Sequence, residues 1–93
     1  MNDIIGGLKY DIGTAKLLAD NEFSDGTNRL YNGRSAALYR TGKGRYFMVN
    51  TTIWEGESDH ITPLDNEEAR TAFESMNNRH ETYTDAGFAF EDA

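Results

Sequence analysis

Three carboxylates stand at alternate positions in the segment EGESD, residues 55 to 59. If this segment is extended, Glu55, Glu57 and Asp59 project from one face, with neighbours about 6.6 Å apart. A row of that kind can lie against the Lys and Arg side chains with which a protein holds a phosphate backbone. The alternative is a solvated loop whose charge serves solubility. The twelve-residue calcium loop pattern is missing, so calcium binding is not predicted.

Cations gather around one turn of the chain, in the stretch LYRTGKGRYFMVN, residues 38 to 50. They are Arg34, Arg40, Lys43 and Arg45. Lysine and arginine on an edge strand commonly prevent pairing with another chain. Tyr, Trp and Arg are also the types enriched where one protein buries surface against another. Arg40, Tyr46 and Trp54 can therefore serve either sheet protection or partner binding.

The two histidines, His60 and His80, do not predict a metal site. Such a site would need carboxylate ligands, and Asp59 lies on the opposite face from His60 if that segment is extended. The chain has no cysteine, which excludes disulfides, thiolate zinc sites and a cysteine nucleophile. Nucleophile-elbow, phosphate-loop and zinc-hydrolase signatures are also missing. We therefore expect no enzymatic activity, no metal and no cofactor.

Charge is distributed unevenly along the chain, whose formal net charge is -7. Residues 1 to 54 carry seven Lys/Arg against five Asp/Glu, whereas residues 55 to 93 carry two against eleven. If the two parts form different surfaces, one of them is strongly acidic and attracts a basic partner over a distance. The alternative is that the acidic part only confers solubility. Direct binding of nucleic acid is disfavoured, because its phosphates would be repelled.

The length of 93 residues allows one domain, 1–93, with MNDIIGG (1–7) as a loose lead-in. No apolar run approaches the roughly 20 residues of a membrane span. The N-terminus lacks the basic start and apolar middle of a signal peptide. We therefore expect a cytoplasmic protein that does not contact a membrane, as a monomer or small homo-oligomer.

The basic stretch predicts a β-hairpin. Gly44 can adopt the left-handed conformation in a three-residue loop, 42–44, which places Tyr39 opposite Phe47. Alternation then divides the side chains between two faces. The face predicted to be core holds Ala37, Tyr39, Phe47, Val49 and Ile53, and the face predicted to be partly buried holds Leu38, Arg40, Tyr46, Met48 and Trp54.

One helix is clearly specified after Pro63. Asp65 is a natural N-cap and Glu68 completes a capping box. The apolar stripe of this helix consists of Ala69, Ala72, Phe73 and Met76, which needs a sheet beneath it. Residues 14–23 fit a helix or a strand, and the aromatic C-terminal segment is expected to fold back over the sheet. The fold class predicted is α+β: an antiparallel sheet of about three to five strands with one helix of the C-terminal half packed on one face.

Three motifs resemble a set of small proteins carried by phages and other mobile elements. Their pattern is Tyr-Asp-Thr-x-Thr-Ala, then Leu-Tyr-x-Thr-x-x-Gly-x-Tyr-Phe, then Ile-x-Pro-Leu-x-x-x-Glu-Ala. The matching residues are Tyr10, Asp11, Thr14 and Ala15; Leu38, Tyr39, Thr41, Gly44, Tyr46 and Phe47; and Ile61, Pro63, Leu64, Glu68 and Ala69. Ile12 replaces a threonine of the first motif. The resemblance favours a strand for the ambiguous segment, and it implies a link to anti-CRISPR proteins, although no functional residue carries over.

Together the resemblance and the acidic half suggest an anti-CRISPR-type inhibitor. It would bind a basic surface of a CRISPR effector subunit stoichiometrically, in the cytoplasm of a bacterial host, and block nucleic-acid binding. The expected contact residues are Glu55, Glu57, Asp59, Glu67, Glu68 and Glu74, with Arg40, Tyr46 and Trp54 as a rim. The alternative is a small accessory or adaptor protein of a mobile element that binds a host or phage protein through the hairpin face.

Overall fold

The computed structural model describes residues 2–21, 34–52, 56, 58–76 and 78–88. Three of the predicted contact residues, Trp54, Glu55 and Glu57, lie outside this part of the chain. The elements are β1 (Asn2–Ile5), β2 (Leu8–Asp11), β3 (Lys16–Asp20), β4 (Arg34–Arg40), β5 (Tyr46–Thr52), β6 (His60–Leu64), α1 (Asn66–Ser75) and β7 (Asn78–Arg79).

Five strands form the main sheet, in the order β6-β5-β4-β3-β7, and every neighbouring pair is antiparallel. Strands β1 and β2 form a separate two-stranded sheet. The single helix among the described residues, α1, packs on one face of the main sheet. The predicted α+β class is confirmed. No helix in the described ranges has the length and apolar character that crossing a membrane requires.

Residues 2–7 are not the loose lead-in that the sequence suggested. Residues 2–5 pair with β2, so that Ile5 lies opposite Leu8. Gly6 and Gly7 form the two-residue turn between them, with φ of 60° and 78°. Two successive positive φ angles match the twist of a tight hairpin, and glycine adopts them without a Cβ penalty. The Gly-Gly pair therefore connects two strands.

The ambiguous segment contains strand β3, so the helical interpretation of 14–23 is wrong there. The register with β4 shifts between Leu17 and Ala19, which is a β-bulge. Leu18 and Ala19 both belong to the core cluster that includes α1, although strict alternation would place them on opposite faces of the sheet. Asp20 is also buried. This local irregularity explains why periodicity alone could not identify the strand.

The β4–β5 hairpin has the predicted register. Tyr39 lies opposite Phe47, and the backbone N–H of Thr41 donates to the carbonyl of Arg45 at 2.7 Å. Gly44 has the predicted positive φ, 86°. The turn chemistry and the alternation of the two strands were therefore sufficient to specify the pairing.

Both faces of this hairpin are buried, which corrects the prediction of one core face. On one face, Tyr10 of the N-terminal hairpin packs edge-on against Phe47, with the ring centres 5.4 Å apart. On the other, the helix and the C-terminal segment cover Leu38 and Tyr46, whose exposed fractions are 0% and 4%. The helix thus packs on the face predicted to be only partly buried. Alternation separates the two faces but does not say what covers each one.

The C-terminal segment folds back as predicted, at least through its described part. The Phe88 ring stacks on Tyr46 at 5.1 Å and also contacts Phe73 of α1 and Tyr83. Phe90 lies outside the described residues. These rings connect the helix, β5 and the last segment in one core cluster.

Candidate partner-binding surface

The first turn of α1 is held by a capping box. An Asp65 carboxylate oxygen accepts from the Glu68 backbone N–H at 2.8 Å, and a Glu68 carboxylate oxygen accepts from the Asp65 backbone N–H at 3.0 Å. The sequence predicted this pair, and the structure confirms it. Both residues remain exposed. The bonds therefore fix the position of two carboxylates at the surface while leaving their charge in solvent.

A shallow groove of about 500 Å³ runs along α1 beside strand β5. We call it the acidic groove, and it is lined by Met48, Asp65, Glu67, Glu68, Thr71, Ala72 and Ser75. Within the part of the chain that the structure describes, Asp65, Glu67 and Glu68 form no ion pair. The helix N-terminus offsets roughly half a unit of their charge, so the groove stays negative.

Glu74 lies near the other end of the helix and contacts the C-terminal segment. Its carboxylate accepts from the Tyr83 hydroxyl at 3.0 Å. Removal of the Tyr83 phenol from water, and then this hydrogen bond, raise the pKa of Tyr83 above its ordinary value of 10.0. Glu74 and Glu67 are seven residues apart and share a helix face, two turns from one another. Glu74 does not line the groove, and its carboxylate is engaged by the C-terminal segment.

Asp59 is exposed and lies just before β6, at the far end of that strand from Asp65. The five residues of β6 lie between the two, and six steps of extended chain span about 20 Å. The structure therefore does not place Asp59 in the acidic groove. Of the predicted acidic residues, it brings together Glu67 and Glu68, to which it adds Asp65, predicted only as a helix cap.

Tyr46 and Arg40 have internal roles. The Tyr46 ring is buried, and its hydroxyl donates to the Ala86 carbonyl at 2.7 Å. Arg40 is half-buried, with its guanidinium carbon 5.7 Å from the centre of the Tyr46 ring. The predicted rim needed Tyr46 at the surface, and its enclosure removes it from any exposed surface. Sequence alternation gave no signal for this, because the covering residues lie forty positions away.

Both histidine rings have a neighbour within hydrogen-bond distance. His60 Nδ1 is 3.3 Å from the Ser58 carbonyl, and His80 Nε2 is 2.8 Å from an oxygen of the buried Asp20. The described ranges contain no group of three His, Asp or Glu side chains that could hold a metal ion. The Asp20–His80 pair was not foreseen, since its members are sixty residues apart. It joins β3 to the segment after β7.

Comparisons of the chain with protein-family models, curated proteins and solved structures found no match in any of the three.

Proposed function

We propose that the protein is a stoichiometric inhibitor of the anti-CRISPR type. It docks the acidic groove onto a positively charged surface of a CRISPR effector subunit and thereby keeps nucleic acid away from that surface. The observation that carries the proposal is the placement of Asp65, Glu67 and Glu68 along one groove, with no cation bound to them within the described residues. The resemblance of the three sequence motifs to small phage proteins supports it.

Charge complementarity gives the groove both attraction and orientation. Carboxylates in a fixed arrangement attract Lys and Arg side chains over about one Debye length, roughly 8–10 Å at physiological salt. The half-buried Met48 also lines the groove, and its flexible thioether suits contact with an irregular partner surface. A docked interface of standard size would bury about 800 Å² on each partner. Steric exclusion of nucleic acid follows from occupation of its binding surface.

The test is an assay of target-DNA binding by effector complexes from candidate host bacteria, with and without the purified protein. The variant Glu67→Gln with Glu68→Gln removes two charges, and the amide oxygen introduced by Glu68→Gln can still accept the capping-box hydrogen bond. A matched control, Asp3→Asn with Asp85→Asn, removes two exposed charges outside the groove. We expect the groove variant to inhibit at least about tenfold more weakly than the control.

Two results would contradict the proposal. One is unchanged DNA binding by every effector tested, at protein concentrations well above that of the effector. The other is equal inhibition by the groove variant and its control, since the carboxylates of the groove would then contribute nothing specific.

A second candidate is an accessory or adaptor protein that binds a host or phage protein through the β4–β5 hairpin. The exposed side chains of Lys43 and Arg45 at the hairpin tip favour it. Its contact surface would be the tip, since Arg40 and Tyr46 pack against the C-terminal segment. Partner capture that survives the groove variant and fails after Lys43→Ala with Arg45→Ala would select this candidate.

A further inference from the structure

The tip of the β4–β5 hairpin forms two adjoining clefts of about 460 and 390 Å³. The first extends to the turn of the N-terminal hairpin at Gly7 and Leu8. The residues shared by both are Thr14, Thr41, Gly42 and Lys43. We call the two together the hairpin-tip cleft. Its position, away from α1, makes it distinct from the acidic groove.

Cations are concentrated in the lining of this cleft. Five of the nine Lys and Arg residues contribute to it, and none of the described Asp and Glu residues lines it. The five are Lys9, Lys16, Arg40, Lys43 and Arg45. Lys16 is paired with Glu81 at 3.3 Å. The other four form no ion pair within the described part of the chain. The cleft is therefore positive in a protein of net charge -7.

Arg40 shows most clearly that this charge is not balanced internally. Its Nε is buried and has no hydrogen-bond partner among the described residues. The guanidinium is confined between the Tyr46 ring and the backbone at Gly87. An arginine that is half-buried and lacks a counter-ion in the described ranges favours an anion nearby, because charges in a partly desolvated site interact more strongly than in water.

Neutral donors accompany the charges. The backbone N–H groups of Gly42 and Lys43 take part in no hydrogen bond within the described residues. The Thr41 hydroxyl oxygen accepts from the Arg45 backbone N–H at 3.0 Å, and its own proton is donated to no described acceptor. Phosphate oxygens commonly accept hydrogen bonds from backbone N–H groups at a turn and from nearby ammonium and guanidinium groups.

We propose that the hairpin-tip cleft binds a small, multiply charged phosphate group, such as a diphosphate or a phosphomonoester. A small anion fits better than a nucleic acid, because a long polyanion would extend beyond the cleft over a surface that carries net negative charge. The exposed Leu8 adds an apolar wall that suits an organic substituent on the phosphate. This site is independent of the proposed inhibitory function.

The test uses the full chain, labelled with ¹⁵N, and inorganic diphosphate as the probe at constant ionic strength. We expect saturable amide shifts at Gly42 and Lys43, with one site and a Kd of about 0.1–1 mM. Lys43→Gln should weaken binding roughly tenfold, since it removes a charged donor. Arg70→Gln removes one positive charge from α1, outside the cleft, and should leave the Kd unchanged. Thermal melts establish that both variants remain folded.

Inorganic phosphate and a short oligothymidylate form the other arms of the experiment. Phosphate should bind at the same amides, more weakly than diphosphate because it carries less charge. The proposal is overturned if the diphosphate shifts do not saturate, if they are absent from the tip, or if Arg70→Gln and Lys43→Gln weaken binding equally. If the oligothymidylate binds more tightly than diphosphate, the proposal of a small anion is wrong and the ligand of the cleft is single-stranded nucleic acid.

Discussion

The Tyr46 hydroxyl donates a 2.7 Å hydrogen bond to the backbone carbonyl of Ala86, forty residues further along the chain. The same Tyr46 ring stacks on Phe88 at 5.1 Å. One side chain of the central hairpin therefore holds the C-terminal segment by a polar and an aromatic contact together. Since that segment also contacts α1 through Phe73 and Phe88, the bond helps to position the helix that carries the acidic groove.

The first prediction concerns the Tyr46 hydroxyl itself. Tyr46→Phe keeps the stacked ring and leaves the Ala86 carbonyl without its donor, so the free energy of unfolding should fall by about 1–2 kcal/mol. Tyr10→Phe is the matched control, because Tyr10 is also buried and its hydroxyl makes no hydrogen bond within the described residues. Urea unfolding of both variants measures the difference. Equal losses would mean that the Tyr46–Ala86 bond is not stabilising.

The second prediction concerns the close approach at Gly87, where φ is 94°. A Cβ there would lie 2.7 Å from the Tyr46 hydroxyl oxygen and 2.9 Å from the Arg40 guanidinium carbon. Gly87→Ala should therefore destabilise the fold by roughly 2–4 kcal/mol, through backbone strain and overlap together. At Gly42 a Cβ would meet no atom within 4 Å, so Gly42→Ala should change stability by less than about 0.5 kcal/mol. Thermal unfolding that fails to separate the two variants would contradict the packing at Gly87.

Local signals in the sequence predicted the central hairpin and the start of α1 correctly. The glycine-rich loop specified the pairing of Tyr39 with Phe47, and Asp65 with Glu68 specified the start of α1. These features depend on residues within a few positions of one another. The choice of the covered face could not be predicted, because it depends on contacts such as Tyr46 with Ala86 that join distant parts of the chain.

For the candidate partner-binding surface too, the sequence predicted what depends on neighbouring residues and missed what depends on the fold. Glu67 and Glu68 are neighbours on a helix that the sequence identified, so their common location followed from the helix. Asp59 was grouped with them by composition alone, and the intervening strand β6 separates it from the helix. Asp65 lines the groove because this helix cap is exposed to solvent. Its place beside Glu67 and Glu68 could have been predicted from the capping pattern.

The third prediction separates the capping role of Asp65 from its charge. Asp65→Ala removes the acceptor for the Glu68 backbone N–H and should lower the free energy of unfolding by about 1 kcal/mol. Asp65→Asn keeps an acceptor oxygen and should lose less than about 0.5 kcal/mol, while it removes one charge from the groove. Urea unfolding measures stability. If the two substitutions cost the same, the cap hydrogen bond does not stabilise α1.

The fourth prediction concerns the response of stability to high pH. The pKa of the Tyr83 hydroxyl is raised in the folded protein by its removal from water and by the Glu74 carboxylate, and it is lowered by the charge of Arg70. An unfolded chain releases this proton near its ordinary pKa of 10.0, whereas the folded chain retains it to higher pH. The stabilisation from Tyr83 is therefore fully present below about pH 10 and is lost as the pH rises through the folded pKa.

Titration of tyrosinate absorbance, compared between wild type and Tyr83→Phe, isolates the Tyr83 transition. Glu74→Gln should move that transition to lower pH, because it removes the negative charge beside the phenol. Arg70→Gln should move it to higher pH, since it removes the positive charge that favours tyrosinate. Both substitutions neutralise a charge on the same helix. A charge effect moves the pKa of Tyr83 in opposite directions in the two variants, whereas a general loosening of the fold would lower it in both. If both variants lower it, the Glu74–Tyr83 contact does not control the titration.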